Sequence, residues 1–233
     1  MNAHTSLQVT SMRTAAPLVK PNLEPIHFDG PAVAAPMQVV ADWTTGLPVF
    51  RGQKMTLREL AKEDAPSLLS MLSTEEVARF ISPPPKTAQQ FEKFIAWVIR
   101  EREAGRQMTF GMVPEGYDKA VGLVQVRALA PGFSVAEWGF ALGSPFWGTG
   151  LFAASARTTL DFAFLHTGLN RVEARACVEN GRGNGALRKM GAVQEGVLRD
   201  SLAKDGKFFD QIMWSIIARD WFQAKAVWDG LIH

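Results

Sequence analysis

The chain has 233 residues, 47% of them hydrophobic and 21% charged, with a formal net charge of +2, which permits one buried core plus an extension and is too mild to specify nucleic acid as a partner. A single cysteine, Cys177, excludes an internal disulfide, and His4, His27, His166 and His233 stand at no metal-ligand spacing, so neither a metal nor an oxidising compartment is expected. No apolar run approaches the ~18 residues of a membrane span and the first residues lack a signal-peptide block, so a cytoplasmic protein without membrane contact is expected.

Residues 1–47 hold Pro17, Pro21, Pro25, Pro31 and Pro36, few charges and no sustained period, and read as a flexible or extended extension, with a short strand conceivable over Val33 to Val40. From Pro48 the pattern becomes regular. Gln53 to Leu60 alternates as a strand, and Glu63 to Leu72 places Ala65, Leu68, Leu69 and Leu72 at helical spacing. Ser73-Thr74-Glu75-Glu76 reads as a capping box for a short helix that ends before Pro83, Pro84 and Pro85. Thr87 and Gln90 repeat that signal ahead of a stripe of Phe91, Phe94, Ile95, Val98 and Ile99. Strands are expected at Gln107 to Val113, Ala120 to Arg127, Phe133 to Leu142 and Arg171 to Val178, with a helix from Leu151 to His166 between the last two. A short helix from Gly183 to Met190 follows. Asp205-Gly206 then joins Val193 to Ala203 and Phe208 to Ile217 as a hairpin. The tail, 219–233, has Trp221, Phe222, Ala226 and Val227 near helical spacing. The layout is α+β: a mainly antiparallel mixed sheet, with one parallel step where the long helix crosses, in a domain over 48–218.

The richest stretch is Pro145-Phe146-Trp147-Gly148-Thr149-Gly150-Leu151-Phe152, a glycine turn between a strand and a helix. Such a turn brings backbone close to a ligand, and the helix start behind it favours an anion such as pyrophosphate. A dinucleotide fingerprint is disfavoured, because no third glycine follows and the preceding sheet reads as antiparallel.

The element order resembles the GCN5-related N-acetyltransferases, in particular the branch that acetylates the N-terminal amines of ribosomal proteins. Trp147-Gly148-Thr149-Gly150-Leu151 is similar to that family's acetyl-CoA loop. Asn180, Gly191, Glu195-Gly196, Arg199, Gly206 and Asp210 follow in the order and spacing of its downstream signature. The resemblance covers roughly 47–217. It implies acetyl-CoA as co-substrate, a primary amine as acceptor, direct attack in a ternary complex and a sheet splayed at the coenzyme cleft. A homodimer is left open. It also implies that Phe140, Ala141 and Leu142 flank the pantetheine arm. Trp147, Gly148, Thr149, Gly150, Leu151 and Phe152 would cradle the pyrophosphate. Asn180 would bond the arm, and Arg188, with Arg182 and Lys189 nearby, would meet phosphates.

Along the Phe133 strand, Val135, Glu137, Gly139 and Ala141 share one face, and Ala136, Trp138, Phe140 and Leu142 share the core face. A carboxylate among small residues makes Glu137 the candidate general base; the competing role is an ion pair with Arg127. The chain departs from the family pattern at Gly183, where relatives often carry serine, and at Leu187, where others carry a tyrosine acid. Those losses support a second reading, a non-catalytic acyl-CoA-binding or regulatory protein. Cys177 reads as a buried thiol, Glu195 and Asp210 as partners within the hairpin. Trp43, Trp97 and Trp221 are candidates to line an acceptor pocket. A polyamine acceptor would need acidic walls, for which Glu75, Glu76, Glu101 and Glu103 are the nearby supply.

Overall fold

A computed structural model describes residues 42–52 and 55–230, the last five as backbone only; expectations for 1–41 lie outside the described residues. Among the described residues eight strands form one sheet in the order β1-β2-β3-β4-β5-β6-β8-β7. They are β1 (Phe50–Arg51), β2 (Met55–Glu59), β3 (Gln107–Pro114), β4 (Gly122–Ala128), β5 (Val135–Leu142), β6 (Arg171–Cys177), β7 (Val193–Lys204) and β8 (Lys207–Ile217). Helices α1 (Ala65–Leu72), α2 (Glu75–Ala78) and α3 (Ala88–Glu103) lie between β2 and β3 in sequence. α4 (Leu151–His166) joins β5 to β6, α5 (Gly181–Lys189) joins β6 to β7, and α6 (Ala218–Gly230) closes the described chain. Every neighbouring pair is antiparallel except β5 with β6.

Each face of the sheet buries its own apolar set. Phe110, Val124, Trp138, Val172, Trp214 and the inner stripe of α4 pack on one face, joined by Trp221 from α6. On the other face Leu68 and Leu72 of α1 and Phe91, Ile95 and Val98 of α3 pack with Leu60, Val113 and Leu123. The alternation of β2 follows from this: Met55 and Leu57 point into the core while Thr56 and Arg58 are half-buried. Thr87 Oγ1 accepts the Gln90 N–H at 3.2 Å and so starts α3, as the sequence predicts. Asp205 and Gly206 take φ of 50° and 73°, the left-handed pair of a two-residue hairpin turn.

Three expectations are corrected. The two-residue strand β1, paired with β2, was not foreseen. Thr74 makes no side-chain cap on α2. Phe133 stands outside the strand, at φ 60° in a one-turn helix, because Gly132 beside it turns the chain into β5.

Asp64, fully buried ahead of α1, ties that helix to the sheet. It accepts Arg58 through both oxygens at 2.7 and 2.8 Å, the Ala61 N–H at 2.8 Å and the Ala120 N–H at 2.9 Å. Burial alone would raise its pKa. The Arg58 guanidinium and the two backbone N–H groups outweigh that and hold it below the ordinary carboxylate value.

Candidate active site

The sheet opens where its one parallel pairing ends. Val135, Ala136 and Glu137 pair with Arg171, Val172 and Glu173, after which β5 runs on to Leu142 and β6 to Cys177 without further pairing. The hydrogen bonds fix which backbone groups face this opening. Gly143 N–H donates to Val121 C=O at 2.9 Å and Leu129 N–H to Val135 C=O at 2.8 Å, so odd-numbered residues of β5 turn toward β4. Arg171 N–H donates to Ser134 C=O at 3.2 Å, so even-numbered residues of β5 turn toward β6. The N–H groups of Phe140 and Leu142 therefore point into the opening, together with the backbone of Arg175 from the other side. Ala141 turns its backbone to Leu123 instead and offers the opening only its methyl group.

The glycine turn stands just past β5. Gly148 and Gly150 have φ of 78° and 89°, and a Cβ at either would meet nothing within 4 Å. The backbone conformation, not crowding, demands glycine there, and the space in front of both is free. Trp147 Nε1 donates to Leu142 C=O at 2.8 Å and ties the turn to β5. Thr149 Oγ1 donates to Phe146 C=O at 2.8 Å and accepts the Leu151 N–H at 3.3 Å. No side chain caps α4. Its next N–H groups, those of Phe152 and Ala153, leave the helix start unpaired, as at any uncapped N-terminus. These donors fit a pyrophosphate, and the unpaired β5 edge fits an extended amide-bearing arm.

α5 flanks the opening from β6. Asn180 Oδ1 accepts the Gly183 N–H at 2.8 Å and caps α5. A Cβ at Gly183 would lie 2.6 Å from Asn180 Nδ2, so the carboxamide occupies the space a serine would need. Leu187 is buried. Arg182 lies over the Trp147 ring at 4.1 Å, and Arg188 over Trp214 at 5.5 Å. The sequence reading passed over Asn184, which is buried and bonds three ways. Its Nδ2 donates to Cys177 C=O at 2.9 Å and Val178 C=O at 3.4 Å, and its Oδ1 accepts Trp214 Nε1 at 2.9 Å, locking α5 to β6 and β8. Its signal was a polar residue three positions before Leu187, on the same inward face.

In front of the opening lies a cleft of about 880 Å³ whose lining includes Phe80, the Pro83–Pro85 run, Phe94, Glu137, Arg175 and Gln211. Phe140, Ala141, Asn180, Gly183 and Leu187 also reach it. Glu137 lies opposite Arg127 in register, and Arg127 Nη2 donates to Glu137 Oε2; Glu137 Oε1 makes no bond among the described residues. The ion pair read as Glu137's competing role is thus present, and the carboxylate still faces the cleft. Across the floor Gln107 Nε2 donates to Thr109 Oγ1 at 2.9 Å and Gln125 Oε1 at 3.2 Å, and the Gln125 side chain lies over Gly139.

The three tryptophans proposed for the pocket wall do not line the cleft. Trp43 packs edge-on against Phe133, Trp97 is exposed on α3, and Trp221 is buried under α4. Trp43 and Trp221 pack into the core, and Trp97 lies off the buried stripe of α3, whose Phe91 and Phe94 reach the cleft instead. Cys177 is buried. Glu195 accepts Arg171 at 2.8 Å and Ser215 Oγ at 2.7 Å, which hold its pKa down at about 2, and Asp210 accepts the Asp200 N–H at 2.9 Å. Both are partners within the sheet and hairpin.

A sheet opened beside an uncapped, glycine-led helix start, with a carboxylate facing the adjoining cleft, fits an acyl-coenzyme-dependent transferase. The family model of the acetyltransferase (GNAT) domain matches residues 54–193, and the chain belongs to that family of acetyl-CoA-dependent N-acetyltransferases. It is 27% identical over 170 residues to the uncharacterized N-acetyltransferase p20 of Bacillus licheniformis, covering 72% of this chain and 96% of that one. Among solved structures, the ribosomal-protein-S5-alanine acetyltransferase from Vibrio fischeri shares the fold with a TM-score of 0.67 at 20% identity, covering 75% of this chain and 98% of the other. RimL, a ribosomal alpha-N-protein acetyltransferase solved with coenzyme A, shares it with a TM-score of 0.67 at 16% identity, covering 73% and 98%. No helix of the described residues is long and apolar enough to cross a membrane.

Proposed function

We propose that the protein transfers the acetyl group of acetyl-CoA directly to a primary amine, of a peptide N-terminus or a small molecule, within a ternary complex. The observation that carries this reading is the position of Glu137 at the last parallel pair of β5 with β6, where the opening for the coenzyme meets the cleft. Trp147, Gly148, Thr149, Gly150, Leu151 and Phe152 hold the pyrophosphate at the start of α4. The backbone of Phe140 and Leu142 aligns the arm, Ala141 walls it, and Asn180 offers it Nδ2. Arg182 and Arg188 supply cations for phosphate groups. Glu137 takes the proton of the attacking amine through its free Oε1, directly or through one water, while Arg127 holds the carboxylate in place. A backbone N–H of β5 polarises the carbonyl under attack. With glycine at 183 and leucine at 187, neither position supplies a hydroxyl acid to the leaving group. A thiol with a pKa near ~8.5 departs as thiolate and is protonated by water.

The test supplies acetyl-CoA and a mixture of peptides and amine metabolites, then measures free thiol and mass gains of the acceptors. Thiol release matched by acetylated amines supports the reading. Coenzyme binding without thiol release, for any amine, replaces it with the non-catalytic one.

A further inference from the structure

We propose that the acceptor carries a carboxylate close to its primary amine and that Arg175 selects it; this rests on the acetyl transfer proposed above and names the class of its acceptor. Among the described residues, the charged side chains lining the cleft are Arg127, Glu137 and Arg175. Arg127 and Glu137 neutralise each other. Arg175 is exposed and has no hydrogen bond or ion pair among the described residues. The acids that share its face are already committed: Arg171 holds Glu173 at 2.9 Å and Glu195 at 2.8 Å, and Glu195 also accepts Ser215. The neighbouring wall is neutral. Met213 is its register partner on β8, and Ser201 and Gln211 of the hairpin bond each other at 3.0 Å. On the opposite wall stand Pro83, Pro84, Pro85, Phe91 and Phe94.

A cationic side chain left free in a cleft without a partner acid favours an anionic ligand, and the guanidinium fork fits a carboxylate through two parallel bonds. The spacing suits a bifunctional acceptor. Glu173 is the cross-strand partner of Glu137, and Arg175 lies two residues, roughly 7 Å, further along β6. An amine at Glu137 thus places a group a few bonds away at Arg175. The same charges argue against a polyamine. Glu101 is paired with Arg106 at 2.7 Å and Glu103 with Arg102 at 3.7 Å, Glu75 lines a separate depression with Arg79, Lys204 and Lys207, and Glu76 does not line the cleft.

Thiol release from acetyl-CoA is measured with acceptor pairs that differ in one group: a peptide beginning alanine-aspartate against alanine-asparagine, and 3-aminopropanoate against 3-aminopropanamide. The parent favours the carboxylate member of at least one pair by about tenfold or more in kcat/KM, the size of one charge-assisted contact. Arg175→Gln brings that ratio near one, and Arg175→Glu inverts it; the ratio within a pair cancels any general loss of activity. Equal rates on both members of each pair, or a preference that survives Arg175→Gln, overturns the assignment while leaving acetyl transfer standing. Absence of thiol release with every amine, including the peptide and metabolite mixture, overturns both.

Discussion

Glu137 reaches the cleft beside small neighbours, Gly139 and Ala141 further along its own strand, and keeps one oxygen free while Arg127 holds the other. Replacing it with glutamine preserves shape and removes the proton acceptor. Glu137→Gln is expected to slow amine acetylation about 100-fold, within the range for loss of a general base, while acetyl-CoA affinity stays at the parent value by calorimetric titration. Equal rates for mutant and parent would assign Glu137 to the ion pair alone. Gly183 leads to a less intuitive outcome. Restoring a serine there does not restore an acid, because its Cβ would meet Asn180 Nδ2 at 2.6 Å and push the carboxamide off the Gly183 N–H. Gly183→Ser is expected to lose the cap of α5, to cost about 1 kcal/mol in thermal or urea unfolding, and to bring no gain in thiol release.

At the scale of elements, Asp64 joins α1, β2 and the approach to β4 in one buried group. Removing its carboxylate leaves two N–H groups without acceptors and Arg58 with only the Glu59 and Asp118 carbonyls, so Asp64→Ala is expected to lower unfolding free energy by about 3 kcal/mol. The same group gives an acid dependence. Its folded-state pKa lies below the ordinary 3.8, so its contribution is complete above that pH and is lost as pH falls through the folded value. Glu195 acts in the same direction between 4.5 and about 2, less strongly because it is exposed to solvent. Urea midpoints of the parent should therefore fall as pH drops below about 4, and those of Asp64→Ala should fall less steeply over the same window. Parallel curves for the two proteins would contradict this assignment.

The whole molecule closes its cleft by bringing distant segments together. Lys204, at the tip of the β7–β8 hairpin, donates to the carbonyls of Ala78, Arg79 (3.0 Å) and Ile81 (3.3 Å) at the end of α2. The positive group there also complements the negative end of the helix. Phe80, Ile81 and Leu202, adjacent to this contact in sequence, line the cleft, while Lys204, Ala78 and Arg79 line the separate depression beside it. Lys204→Met is expected to speed amide exchange in residues 79–82 and 199–209 and to leave β3 and β4 at the parent rate. Uniformly faster exchange would mean global destabilisation instead.

Much of this architecture was legible in the amino-acid order because its causes are local. Alternation marked β2, β5 and β6, Thr87 set the start of α3, Asp205-Gly206 set the hairpin turn, and Gly148 and Gly150 marked the left-handed turn ahead of α4. Each depends on a few adjacent residues and their backbone preferences. β1 was missed because two residues carry no period, and the pocket role given to Trp43, Trp97 and Trp221 failed because apolar stripes do not say which face meets the cleft. Only tertiary structure decided where β5 and β6 stop pairing, that Arg127 meets Glu137, and that Arg175 is left free. Those outcomes depend on register and on charges contributed by segments far apart in the chain, so local sequence determines the parts of the site and the packed sheet determines which of them face one another.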